Sequence, residues 1–225
     1  MITVIIPVHE STSSVNKLRK QLAQVDIPIE VIFVVNKNLK INMSKKNIHE
    51  KIIIAEKTGR GFSLIEGARH AKGEIILFLH SDTMLPSNWS KAIRIAMAND
   101  DVVGGVFSLS FDEDNKYLNF LIFLLRILFL TKKEIWGDHA IFIRSKFLEG
   151  ALQVMNVPIM EDIRLSSYMK KKGKIVMLKE RVITSSKAFK KHGLLGNTFR
   201  IIRTRFMYSL GKDPEEIYKY YYSKS

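Results

Sequence analysis

The chain has 225 residues, 46% of them hydrophobic, which is enough for one domain with a sizeable core and excludes a largely disordered protein. It contains no cysteine, so disulfides, thiolate metal sites and a cysteine nucleophile are excluded. A formal net charge of +14 favours anionic partners: phosphorylated small molecules, an acidic membrane surface or nucleic acid. Nucleic acid is disfavoured, because the basic residues are spread along the chain instead of forming one dense stripe with interleaved aromatics.

Residues 2–7, ITVIIP, predict a first strand ended by proline. Residues 14–25 carry Val15, Leu18, Leu22 and Val25 at helical spacing, with Ser13 or Ser14 as the cap. Strands are expected over 30–35 and 51–55, and a short helix over 62–71, between Gly61 and Gly73. Residues 75–80 are apolar or aromatic and run directly into Ser81, Asp82 and Thr83. In open α/β sheets ligands bind outside the carboxyl ends of the strands, so Asp82 is placed to hold a divalent cation or a ribose hydroxyl. The alternative is that Asp82 caps a helix expected over 87–98, with Pro86 in its first turn.

The second half is less regular. Residues 102–111 predict a longer strand in which Gly104-Gly105 marks a bulge or a close backbone approach. Further strands are expected over 139–143 and 174–178, and a helix over 163–172, ended by Gly173. Asp213-Pro214-Glu215-Glu216 is a helix start, with cap, proline at the first position and acids in the first turn. Valine- and isoleucine-rich strands alternating with helices predict an α/β fold, Rossmann-like, with a mainly parallel central sheet and helices on both faces. Neither a repeat nor a linker divides the chain. A single domain is expected over 1–225, with a nucleotide-binding half (1–100), an acceptor and catalytic half (101–185) and a basic helical tail (186–225).

Residues 117–130, YLNFLIFLLRILFL, are broken only by Asn119 and Arg126, which share a helical face. At fourteen residues the run is short of the about twenty needed to span a bilayer. It fits a helix packed on the body or on a second copy of the chain, or one lying in a membrane interface beside Lys132 and Lys133. The N-terminus, MITVIIPVHE, lacks a basic n-region and a small-residue cleavage site, so no signal peptide is expected. The expected location is cytoplasmic, with peripheral contact at the inner membrane face as the variant that the apolar helix suggests.

Five clusters carry polar chemistry. Pro7-Val8-His9-Glu10 ends the first strand, and Thr58-Gly59-Arg60-Gly61 opens a helix whose N–H groups and arginine suit a phosphate. His80-Ser81-Asp82 tips the fourth strand. Trp136-Gly137-Asp138-His139 sets an acid beside an imidazole, which reads as a ligand, a base or a structural histidine. Met160-Glu161-Asp162 places two acids at a helix start, where they answer the helix dipole or supply a base. A nucleophile elbow, a Walker A sequence and HExxH are all lacking.

In chain order, VIIPVHE, the GRG-helix, LFLHSDT, GGVFSLSFD, WGDHAIFIR, MEDIRLS and the closing YSLGKDPEEIYKYY resemble family-2 glycosyltransferases of the GT-A fold. The likeness is to a small soluble-looking subgroup with LHADT- and GDQ-type motifs, and it covers essentially the whole chain. The resemblance implies transfer of a sugar from a nucleoside-diphosphate sugar to an unknown acceptor, metal-assisted and inverting, with Mg or Mn as the divalent metal. It places Pro7, His9, Glu10, Asn36, Arg60, Ser81 and Asp82 around the nucleotide, with Asp82 as the metal ligand. Asp162 would be the general base with Glu161 beside it, and Gly137, Asp138 and His139 would line the donor or acceptor side. The chain departs from the family pattern where the second strand ends in Asn36 instead of an acid. It departs again at His80-Ser81-Asp82, which leaves one carboxylate for the metal, and at His139, which replaces a glutamine. Two other readings stay open: sugar transfer to a polyprenyl phosphate at the membrane surface, and a nucleotide-sugar-binding relative without turnover.

Overall fold

The computed structural model describes residues 1–8, 12–25, 27–36 and 49–223. Among them, seven strands form one sheet: Ile2–Val8 (β1), Ile29–Val35 (β2), His49–Ile54 (β3), Ile75–Phe78 (β4), Val102–Phe111 (β5), Ile141–Arg144 (β6) and Lys174–Thr184 (β7). Their spatial order is β3-β2-β1-β4-β6-β5-β7, and only β6 runs against its neighbours. The helices are Thr12–Leu22 (α1), Arg60–Arg69 (α2), Trp89–Met97 (α3), Lys116–Lys132 (α4), Leu148–Val154 (α5), Glu161–Lys172 (α6), Lys187–His192 (α7), Leu194–Ser209 (α8) and Pro214–Ser223 (α9). The mainly parallel α/β sheet, with helices on both faces and a helical C-terminal extension, is the architecture the alternating pattern predicts.

All seven residues of β1 and of β2 are buried, which is why these strands read as unbroken Val/Ile runs instead of alternating ones. One face of the sheet is covered by α1, through Val15, Leu18 and Leu22, and by α3, through Trp89, Ile93 and Met97. The opposite face is covered by α2, α5 and α6, through Leu64, Ala68, Ala151, Leu165 and Met169. Each fully buried large apolar side chain of this kind contributes about 1.5–3 kcal/mol. At the amino edge, the buried carboxylate of Glu30 accepts from Thr3 Oγ1 (2.7 Å), Lys51 Nζ (2.6 Å) and the Lys72 N–H (2.8 Å). Desolvation alone would raise the Glu30 carboxyl, but these three donors outweigh it and hold it below its ordinary value.

Gly104 and Gly105 show both features expected of them. The β5–β7 register shifts between Val102 and Gly104, and a Cβ on Gly104 would lie 2.1 Å from the Phe142 carbonyl oxygen. Residues 139 and 140, by contrast, are not strand: Gly137–His139 forms a 3-10 turn and β6 begins at Ile141. β7 runs to Thr184, beyond the expected 178, because it is an edge strand whose polar residues Lys179 and Arg181 face solvent. Asp82 caps no helix: α3 begins at Trp89 after Asn88, and no side chain caps it. Among the described residues, no helix is long and apolar enough to cross a membrane.

Candidate active site

Because β1, β2 and β4 are parallel neighbours, Pro7, Asn36 and the His80–Asp82 tip all arrive at one edge of the sheet. Antiparallel β6 starts at that same edge, since Ile141 pairs with Phe78, and it brings Gly137 and Asp138 beside His80. Met84 and Ile183 pin the tip of β4 to β7 by exchanging hydrogen bonds of 2.8 and 2.9 Å. Ser81 and Asp82 project from the turn closed by the Thr83 N–H on the His80 carbonyl, at 3.2 Å. Pro7 is buried within β1 and Asn36 is exposed just past β2. His9 and Glu10 lie outside the described residues.

Arg60 organises the centre. It sits in the first turn of α2, and its backbone N–H donates to the Pro158 carbonyl at 3.1 Å. Its Nε donates to Glu161, and its Nη2 donates to Asp162 Oδ2 at 3.2 Å. Nη1 lies 3.3 Å from His80 Nε2. A guanidinium only donates, so His80 Nε2 accepts and the Nδ1–H is left to face Asp138 Oδ1 at 3.3 Å. Burial works against the Arg60 cation, but Glu161 and Asp162 outweigh it and raise its pKa well above the ordinary value. Gly137 permits this packing, because a Cβ there would stand 2.8 Å from Arg60 Nη1.

The two acids occupy the first turn of α6, where the helix dipole favours negative charge. Asp162 is held at both oxygens: Oδ1 accepts from the Ile163 N–H at 2.8 Å, and Oδ2 from the Gly137 N–H at 2.7 Å as well as from Arg60. Glu161 is 1% exposed, and its Oε2 has no hydrogen-bond partner among the described residues. Desolvation, with the Asp162 charge adding to it, pushes the Glu161 carboxyl up to about 7 against the pull of Arg60. Met160, immediately before the acids, and Ala140, immediately after the 137–139 turn, both adopt positive φ (68° and 50°) without being glycine. Strained backbone of that kind costs on the order of 1–3 kcal/mol per residue and clusters at functional sites.

The remaining candidates are placed as follows. Asp82 is exposed at the sheet edge; desolvation raises its carboxyl, and Asp138 adds to that while His80 opposes it. His139 is 4% exposed and its Nδ1 lies 2.9 Å from the Phe107 carbonyl, so that nitrogen carries the proton. Burial lowers the pKa of His139. No group of three or more His, Asp or Glu side chains converges as a metal site among the described residues. Two participants escaped the sequence reading. His80 belongs to the polar tip of the fourth strand, where the sequence assigns it no role of its own, yet it links Arg60 to Asp138. Tyr222, near the end of α9, lies close enough to feel the charges of Arg60 and Glu161, and desolvation of its hydroxyl pushes that group up to about 12 although the residue is 43% exposed. Only its position at the end of the tail, after Asp213-Pro214, could have pointed to it.

The fold recurs in solved glycosyltransferase structures. The S. aureus TarS segment 1–349 in complex with UDP-GlcNAc superposes with a TM-score of 0.62 at 16% identity, covering 82% of this chain and 58% of that one. Full TarS gives 0.63 at 15% identity, covering 92% of this chain and 39% of that one. Glucosyl-3-phosphoglycerate synthase from Mycobacterium tuberculosis, solved with Mn2+, UDP and glucosyl-3-phosphoglycerate, gives 0.54 at 12%, covering 94% of this chain and 80% of that one. The chain thus spans only 58% of the TarS segment's length, and no curated protein sequence matches it. The model of glycosyl transferase family 2 matches residues 3–159, from β1 through the turn that precedes Glu161 and across every strand that builds the site except β7. With that match over most of its length, the chain belongs to glycosyl transferase family 2.

Proposed function

We propose that this chain transfers a sugar from a nucleoside-diphosphate sugar to an acceptor hydroxyl with inversion, using Asp162 as general base. The observation that carries the reading is the Arg60 bridge, which ties the acids of α6 to the His80–Asp138 pair at the carboxyl edge of the sheet. Residues 1–100 would hold the nucleotide and residues 101–185 the acceptor and base. The Gly137 and Ile163 N–H groups aim the Asp162 carboxylate, so that the lone pair left on Oδ1 can take the proton of an acceptor hydroxyl. The acceptor oxygen then bonds to the anomeric carbon as the bond from that carbon to the diphosphate oxygen breaks. Attack opposite the leaving group gives inversion.

The residues present fit a divalent metal modestly. Asp82 offers an exposed carboxylate oxygen, a hard donor suited to Mg²⁺ or Mn²⁺, and Asp138 is near enough to act on its charge. With no third protein ligand converging among the described residues, diphosphate oxygens and water would complete the coordination. Such a cation, when bound, neutralises charge on the departing diphosphate. UDP is the first nucleotide to try, since TarS and the M. tuberculosis synthase were solved with UDP-GlcNAc and UDP respectively.

Calorimetry with nucleoside diphosphates, with and without Mn²⁺, tests the donor site: metal-dependent binding of one nucleotide is expected, and binding of none would sink the reading. In the Asp162→Asn variant, nucleotide affinity should be preserved while sugar release from the donor falls by about 10²–10⁴-fold. A second reading, nucleotide-sugar binding without turnover, is favoured by Asn36 standing where the family pattern has an acid. Tight donor binding by the native chain with no release of sugar to any acceptor or to water would select it.

A further inference from the structure

Most of the large apolar side chains that face solvent lie on two helices. On α4, Phe120, Phe123, Leu124, Ile127 and Leu130 are exposed and recur at helical spacing along one face. The opposite face, with Leu118, Ile122, Leu125 and Phe129, packs on the sheet. On α8 and its cap, Leu195, Phe199, Ile202, Phe206 and Leu210 form a second exposed stripe, with Leu195 exposed by 74%. The buried side of α8 is instead polar: Asn197, Arg200 and Thr204. Two side-chain contacts link the helices. Tyr117 Oη donates to Thr198 Oγ1 at 3.0 Å, and Arg205 pairs with Glu134 at 2.8 Å. Soluble monomers rarely turn whole helical stripes of large apolar side chains to solvent unless these bind something.

The charge around the stripes says what. Neither residues 116–133 nor residues 187–212 contain a single acid. Arg126 flanks the α4 stripe and Arg203 the α8 stripe, and all three of Arg126, Arg203 and Lys132, at the end of α4, are exposed. We infer that α4 and α8 form a docking surface for an anionic lipid bilayer, with the aromatic and aliphatic stripes seated among the acyl chains and the cations at the phosphates. Bulky apolar side chains flanked by Lys and Arg are the composition of helices that lie in a membrane interface. A second copy of the chain is the poorer occupant, because a two-fold contact sets a patch against itself and would oppose two net-basic surfaces. The inference is independent of the transferase reading, since it concerns where the molecule sits and not what it turns over.

The test is co-sedimentation of the full chain with vesicles. Native protein should pellet with phosphatidylcholine–phosphatidylglycerol vesicles and partition at least about ten-fold more weakly onto pure phosphatidylcholine. Phe123→Glu with Phe206→Glu, both exposed positions, should lower partitioning by about ten-fold or more with an unchanged circular dichroism spectrum. Arg126→Glu with Lys132→Glu should do the same and should abolish the preference for the anionic lipid. Failure to pellet, equal partitioning onto both vesicle types, or binding untouched by either pair of substitutions would each overturn the inference. So would a dimer seen by light scattering that Phe123→Glu with Phe206→Glu dissociates, in a protein that ignores vesicles.

Discussion

Glu161 is an acid whose environment works against its charge, and this gives it a measurable signature. Its pKa in the folded protein is raised from the ordinary glutamate value of 4.5 to about 7. Over that interval the folded state binds more protons than the unfolded one, so stability falls as pH rises from about 4.5 to about 7 and is flat above. Glu161→Gln removes this slope. Thermal unfolding should therefore show the variant gaining on the native protein between pH 4.5 and pH 8. A constant difference across that range would mean that Arg60 neutralises Glu161 fully. The same residue shows how far the site could be read from sequence. The acids at 161 and 162 and the arginine at 60 each stood out by residue type and position. That they meet could not be seen, because a hundred residues separate them and nothing local encodes the contact. Likewise His80 is an ordinary histidine until the fold sets Arg60 on one ring nitrogen and Asp138 near the other.

At the scale of elements, the site depends on how closely α2 approaches the segment before α6. A Cβ on Gly61 would meet the Val157 carbonyl oxygen at 2.1 Å, the Met155 carbonyl oxygen at 3.0 Å and Glu161 Cβ at 3.2 Å. Backbone carbonyls cannot yield as a flexible side chain does, so Gly61→Ala must push α2 away. The expected cost is about 1–3 kcal/mol, read as a lowered midpoint of chemical denaturation. Nucleotide binding should weaken with it, because Arg60 would leave the acids. Normal stability together with normal binding would show that the segment around residue 157 moves freely. The elements themselves were legible in proportion to how fully their burial constrained them. β1 and β2, buried on both faces, could be read from Ile2 and, one residue late, from Glu30 onward. α5 was missed, as seven residues with a glycine at 150 carry too little periodicity to register. β6 is four residues long, and nothing in IFIR distinguishes an antiparallel insertion from one more parallel strand.

For the whole molecule, strand order decides when each part of the sheet can form during synthesis. The first four strands pair with one another, so β3-β2-β1-β4 can assemble once about half of the chain has left the ribosome. The next strand to emerge, β5, finds no neighbour waiting: its partners are β6 and β7, both still to be made. Until Ile141 appears, the edge of β4 stays open, and it is an apolar edge, Ile75–Phe78, of the kind that recruits strands from other chains. A chain truncated after residue 115 should therefore aggregate, measured by light scattering at micromolar concentration, while one extended past Thr184 should not. Equal solubility of the two would mean that β5 or a helix shields β4 in the shorter chain. The reversed strand that delivers Gly137 and Asp138 to the site thus also acts as a late-arriving wedge. Its insertion between β4 and β5 is the step at which a growing chain stops being a hazard to its neighbours.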